Sequence, residues 1–385
     1  MKIEWVIYFL MAVCICMIGF NLVFALWERL REHGGRRRAQ RMSEHLLLSM
    51  RRSAEQGMSE HLVYLAKRLA RLSWMEAYDR ALEEQCERNS RRLEGYLIAA
   101  APVFIMLLPA YRFKDDLHRA FFANMVEKWY RPRPAPAELV SALQGFTQAG
   151  SFYLRQNALE ALAAVGGARD LAAAFVAMDR AQEFHHPKLL TEVALSFQGD
   201  ANHLAVELSE RFAEMSPSAQ VAVMNYLRMS GAVAAPNGCL GADGQPHPTP
   251  RAAQVAWVIG LLQDPAQDRE LRLACLRFLG SHTSPEAYPL LLELAQERDD
   301  GAWEFSAVAC TVLAQYPAPQ TVAVLKGCLS SRVWYVRNNA AASLCSLEVS
   351  LGEDLGDVLD GTDAYAREML LYHWERAASA GGGGR

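Results

Sequence analysis

The chain has 385 residues, about half of them hydrophobic, and a formal net charge of -4. That length supports a large core, built either as two globular domains or as one long array of repeats. The charge is uneven: residues 28–54 hold eight Arg against three Glu, near +5, which leaves close to -9 for the remainder. A body of that sign excludes a nucleic-acid-binding array with a basic concave face.

Trp5 to Trp27 is a run of 23 residues without a charge, in which Asn21 is the one strongly polar member. As a helix it spans roughly 34 Å, enough for a bilayer. Trp5, Tyr8 and Trp27 stand near its ends, where amphipathic rings favour the interface. A cleaved signal peptide is the rival reading, but the apolar run is long for one and no small-x-small site follows it. Lys2 and Glu4 nearly cancel before the run, whereas Arg29, Arg31, Arg36, Arg37, Arg38 and Arg41 follow it. Positive flanks stay inside. The sequence therefore predicts a transmembrane anchor over 1–27 in a bacterial inner membrane, with a single pass and the body in the cytoplasm. The same six arginines are candidate lipid-headgroup contacts, at about 1 kcal/mol each near an anionic surface. The plainer reading makes them a topology signal only.

Residues 28–94 read as a basic juxtamembrane segment followed by amphipathic helices. Leu62, Leu65, Leu69 and Leu72 form one stripe, ahead of a charged run from Glu83 to Glu94. Such a segment suits a stalk or the cap that an open-ended array needs. Tyr96–Ala110 is apolar enough to suggest a second span. It is short for one, and Pro102 and Pro109 interrupt it. A buried first helix, or one lying against the membrane, fits better. Phe113–Tyr130 reads as a helix, and Pro132, Pro134 and Pro136 make a stiff turn after it.

From there the sequence predicts helix pairs: 136–148 with 151–165, 168–180 with 187–198, 201–214 with 217–229, 252–263 with 268–280, 285–297 with 302–315, 319–329 with 333–347, and 351–359 with 363–377. Residues 231–250 are a Gly/Pro/Ala-rich loop insertion, and 379–385 a disordered tail. His185-His186-Pro187 reads as loop, since adjacent histidines point apart on any regular element. Eight cysteines show no CxxC pair and no histidine at metal spacing. Cys275, Cys310 and Cys345 stand where small core residues belong and read as reduced packing residues.

In Trp334-Tyr335-Val336-Arg337-Asn338-Asn339-Ala340-Ala341, with Leu344 and Leu347 beyond, Val336, Ala340, Leu344 and Leu347 share one helix stripe. Similar stretches run from Leu154-Arg155, Leu271-Arg272, Phe305 and Tyr365. Anchor residues fall at 162, 197, 227, 279, 313 and 344, and all but one gap lie in the range of stacked helical repeats. The pattern Val-Arg-x-x-Ala-x-x-x-Leu resembles the second helix of a HEAT repeat over roughly 95–378. The fold class expected is therefore all-α, an N-terminal transmembrane helix followed by an α-solenoid of HEAT-like pairs. Ser151, Asp268 and Asp363 stand four residues before Arg155, Arg272 and Arg367, as N-caps. In HEAT proteins such Asp and Arg residues also ladder between repeats. Val333 replaces the Asp before Arg337, so a ladder is expected to break there.

No Gly-rich phosphate loop, nucleophile elbow, HExxH or paired-carboxylate motif is present. The sequence thus assigns no catalytic residue, cofactor or metal. What remains is surface. Phe152, Trp303 and Trp334 share one repeat position, with Tyr153 and Tyr335 beside two of them and Arg337, Asn338 and Asn339 nearby. Such a row suits gripping a partner peptide. Alternatively, each ring covers the turn between its own two helices. The layout, ending in WYVRNNAA and DAYAREMLLYHWER, is similar to a group of bacterial HEAT proteins whose genes often neighbour those of membrane family 2 glycosyltransferases. That resemblance implies a non-enzymatic scaffold with a membrane-associated protein partner, assisting surface-polysaccharide synthesis. Two other classes stay open: a module binding lipid headgroups or a nucleotide signal through its arginines, and a HEAT-fold lyase.

Overall fold

A computed structural model of the chain describes residues 2–51, 58–148, 150–180, 185–236, 249–297, 301–347 and 349–381. The described residues are helical, with no strand among them. They divide into two compact units, Met1–Gly166 and Gly167–Arg385.

The first unit contains α1 (Lys2–Arg51), α2 (Met58–Leu69), α3 (Leu72–Ala100), α4 (Pro102–Tyr111), α5 (Asp116–Trp129), α6 (Ala137–Thr147) and α7 (Phe152–Val165). The helix that opens with the apolar run continues past Trp27 and through Gly34-Gly35 to Arg51. Its later part packs against α3 and buries Met42, Ser43 and Leu46. From Tyr8 to Trp27 every described side chain is exposed. No single helix among the described residues is long and apolar enough to cross a membrane. The apolar stretch found in α1 is Val13–Trp27, shorter than the roughly 20 residues a crossing needs. Side chains 2–7, 10 and 12 lie outside those described.

In α2 the buried stripe is His61, Leu65 and Leu69, not the expected run of leucines; Leu62 and Leu72 are only half-buried. The inward histidine is bonded through one ring nitrogen only, its Nδ1 being buried without a partner among the described residues. His61 Nε2 lies 2.9 Å from the Tyr96 hydroxyl, itself 3.2 Å from that of Tyr78. Pro102, which has no N–H to continue the ladder, bends the chain by 55° between Ser90–Ala100 and Pro102–Tyr111. Together these two segments have the length and composition of a broken span. Leu97, Ala100, Val103, Phe104 and Leu107 are buried in the unit, and α4 packs on α2, α5 and α6.

The second unit holds α8 (Ala168–Arg180), α9 (Pro187–Leu195), α10 (Ala201–Glu210), a 3-10 turn at Phe212–Glu214, α11 (Pro217–Ser230), α12 (Pro250–Gln263), α13 (Arg269–Ser281), α14 (Tyr288–Ala295), α15 (Trp303–Leu313), α16 (Pro319–Cys328), α17 (Trp334–Ser346), α18 (Gly356–Leu359) and α19 (Ala364–Gly381). Helix starts follow local chemistry. Pro opens α9, α11, α12 and α16, where its missing N–H costs nothing. Asp200, Ser216, Thr249 and Asp268 accept from the first turns of α10, α11, α12 and α13. Gly231, with φ 68°, ends α11 in the left-handed region.

The helices expected from sequence recur within a few residues, in a repeat-like succession, but α8, expected to pair with α9, packs on α10 instead. Helices α9, α11, α13, α15, α17 and α19 each pack on the next, while α12, α14 and α16 pack on α13, α15 and α17. The anchors Leu227, Leu279, Leu313 and Leu344 here, and Leu162 in the first unit, are fully buried. Phe197 is the exception. Helix α9 stops at Leu195, so Phe197 lies beyond its last turn and is half-buried. Close approach of α13 and α15 depends on Gly280, where a Cβ would stand 3.0 Å from Val312 Cγ2. Helix α19 runs to Gly381, into the tail expected from 379. Residues 382–385 and the greater part of the insertion, 237–248, lie outside the described residues.

Candidate functional site

The repeat arginines do one job. Arg272 Nε donates to the Leu262 carbonyl at 2.9 Å, Arg337 Nη1 to that of Ser331 at 2.6 Å, and Arg367 Nη1 to that of Gly361 at 3.3 Å. In the first unit Arg155 Nη1 donates to Gly150 at 2.8 Å. Each ties the start of a second helix to the end, or the outgoing loop, of the first. Carbonyls there lack intrahelical donors and carry the negative end of the dipole. Ser306 holds the same repeat position and does the job with a hydroxyl, donating to Leu294 and Glu297 carbonyls at 3.0 and 2.8 Å.

The expected caps divide. Asp268 accepts from Glu270 and Leu271 N–H groups, and Asp363 from that of Ala366 at 3.1 Å. Ser151 makes no side-chain cap. Between pairs, arginine meets aromatic rings: the Arg272 guanidinium lies 4.7 Å from the Phe305 centroid, and that of Arg337 lies 5.7 Å from Tyr365. Contact also continues across the expected break at Val333. The Ala366 N–H holds the Asp363 carboxyl below the usual range, with smaller help from Ser330 and the Arg337 charge.

Against this frame stand the aromatics. Trp303 and Tyr335, the first residue of α15 and the second of α17, stack across neighbouring pairs with centroids 5.2 Å apart and planes 18° apart. Trp334 meets Tyr335 edge-on at 5.2 Å. Trp334 is 52 % and Tyr335 56 % exposed, so the rings are organised yet leave large faces open. Phe152 and Tyr153 form their own edge-on pair at 6.0 Å in the first unit, and both are exposed.

The polar trio faces inward instead. Arg337 holds the Ser331 carbonyl, as above. Asn338 Oδ1 lies 2.9 Å from His373 Nε2 on α19, and Asn339 Nδ2 donates to the Ala307 carbonyl on α15 at 2.9 Å. These side chains bind α17 to both neighbours.

Beside the stacked rings is a cleft of about 630 Å³, lined by Trp303, Val324, Gly327, Arg332 and Val333 among others. A second, more open groove of about 710 Å³ continues from it, sharing Gln296 and Glu297. Periodicity marked the rings but not the clefts, which lie between the α14–α15 and α16–α17 pairs.

Among the described residues no group of three or more His, Cys, Asp or Glu is placed to hold a metal ion. His186 caps α9, its Nδ1 accepting from the Lys188 N–H at 3.2 Å. Burial raises the Cys275 thiol to about 12 and that of Cys345 to about 11. Cys310 is raised well above its ordinary value by a hydrogen bond with Cys328 and by burial. All three stay protonated, as packing groups. On α1, Arg29, Arg36, Arg37 and Arg41 are exposed and Arg38 half-buried, while the side chain of Arg31 lies outside those described. No known family model matches the chain, and no curated protein sequence matches it significantly.

Proposed function

We propose that this chain is a non-enzymatic, membrane-anchored scaffold whose HEAT-like helix pairs form a solenoid that grips another protein. The observation that carries the reading is the open stack of Trp303, Tyr335 and Trp334 beside a cleft. Exposed aromatics on a rigid frame are the anchors from which protein interfaces draw most of their energy. Helix α1 supplies the tether. Its first part presents apolar side chains on every face, which water disfavours and lipid accepts. The arginines that follow hold the body on the cytoplasmic side of a bacterial inner membrane. Tethering raises the local concentration of a membrane-associated partner. Resemblance to the bacterial group makes a family 2 glycosyltransferase the partner to test first.

The test is purification of the full chain from native membranes in mild detergent, beside the double variant Trp334→Ala, Tyr335→Ala. Membrane enzymes should accompany the parent chain and be lost from the variant. If the parent brings down no membrane enzyme above background, the glycosyltransferase version fails. If the variant retains every companion, the aromatic edge is the wrong surface.

Exposed Arg29, Arg36, Arg37 and Arg41 form a polybasic segment suited to anionic headgroups or a nucleotide signal. Changing Arg36, Arg37 and Arg38 to Ala would then abolish binding to anionic vesicles.

A further inference from the structure

We propose that the first part of α1 pairs with the same helix of a second copy of this chain, through the face that carries Asn21. This inference rests on the membrane-anchored reading above. Asn21 is exposed, and its amide makes no hydrogen bond among the described residues. It lies about five residues from the middle of the Trp5–Trp27 run, or roughly 7–8 Å along the helix. A side chain that short does not reach the headgroups from there, so in hydrocarbon its donors and acceptor need a protein partner.

A carboxamide is its own complement. Two copies related by a two-fold axis satisfy each other, N–H to C=O in both directions, and an isologous interface closes on itself. A different helix would have to supply a matching polar group, whereas a second copy does so by construction.

Shape agrees with this choice. At about 100° per residue, Cys14 falls about 20° and Ala25 about 40° around the helix from Asn21. Both are small, whereas Met17, about 40° to the other side, is longer and exposed. The bulky ridge of Phe20, Phe24 and Trp27, with successive centroids 6.4 and 6.1 Å apart, is centred roughly 90° away. Cys16 lies about 140° from Asn21, on the far side. Cys14 and Cys16 are both exposed free thiols, so the helix carries its own reporters.

The experiment uses the full chain in native membranes, with Cys86→Ser and Cys239→Ser and with either Cys16→Ser or Cys14→Ser. Molecular iodine partitions into the bilayer. It oxidises two adjacent thiols to one disulfide, becoming two iodides and releasing two protons. The Cys14 form should give a disulfide dimer on a non-reducing gel, several-fold more than the Cys16 form. Asn21→Leu should lower the Cys14 dimer about three- to tenfold, the range of a membrane amide pair, and Asn21→Gln should retain it. Equal cross-linking at the two positions, or no effect of Asn21→Leu, overturns the proposal if the chain resists alkaline carbonate extraction. A mixed disulfide with another protein in place of the self-dimer overturns it in favour of a different partner. Release of the chain by carbonate overturns the pairing together with the anchoring reading.

Discussion

Asn339 on α17 donates its side-chain amide to the main-chain carbonyl of Ala307 on α15, 2.9 Å away. One residue earlier, Asn338 meets His373 on α19 at 2.9 Å. Adjacent asparagines thus reach in opposite directions and fix the spacing of three successive second helices. Asn339→Ala removes one donor from a part-buried carbonyl and should cost about 1 kcal/mol. Asn339→Asp sets a carboxylate against that carbonyl and should cost more. Denaturant midpoints of the full chain in detergent check the order parent, Ala, Asp.

Arg272 tests whether the repeat arginine acts through its shape or its charge. Its Nε holds the Leu262 carbonyl while its flat head covers Phe305. Lysine has neither the Nε–H nor the plane. Arg272→Lys should therefore cost about 1–2 kcal/mol, close to Arg272→Ala. If Lys recovers most of the Ala loss in urea melts, charge alone suffices. Ser306→Ala, which leaves the Leu294 and Glu297 carbonyls without their hydroxyl donor, should cost a similar amount.

The helix pairs were legible because their signals are local. Proline at a first turn, Asp or Ser before it, and a leucine seven residues after Arg155, Arg272 and Arg337 are all short-range, and they fixed boundaries to within a few residues. What escaped was set by neighbours in space. Leu62 reads as core by spacing, but His61 takes the inward place, where Tyr96, far along the chain, partners its Nε2. Phe197 keeps the anchor spacing, but α9 has already ended. The aromatic edge was legible as a register. The stacking of Trp303 on Tyr335 and the adjacent cleft draw residues from two neighbouring pairs, which no single repeat encodes.

His61 makes the first unit sensitive to acid. Burial, with the nearby His45 ring assisting, lowers its pKa from 6.5 to about 4. His45 stacks on His61 at 5.1 Å and on Tyr64 at 4.1 Å, so a second imidazole already occupies that space. Between those two values the unfolded chain binds a proton that the folded chain refuses, so stability falls as pH falls. The loss should begin below about pH 6.5 and level off below about pH 4. Urea midpoints measured across pH 7.5 to 4.5 should drop, and His61→Gln should flatten that part of the profile. An unchanged slope in His61→Gln would assign the acid response to other groups.

The sharpest contrast lies within four residues of α17. Trp334 and Tyr335 are more than half exposed, and their contacts are with each other and with Trp303. Truncating Trp334 to Ala should change stability by about 0.5 kcal/mol or less, as for exposed positions generally. Arg337→Ala removes the donor to the Ser331 carbonyl and the cover over Tyr365, and should cost about 1–3 kcal/mol. If the edge exists for a partner, co-purification should follow the reverse order. Trp334→Ala should lose companions from a chain that melts normally, while Arg337→Ala should keep them at temperatures where it stays folded. A Trp334→Ala protein that melts as early as Arg337→Ala would instead make the stacked rings a packing device between repeats.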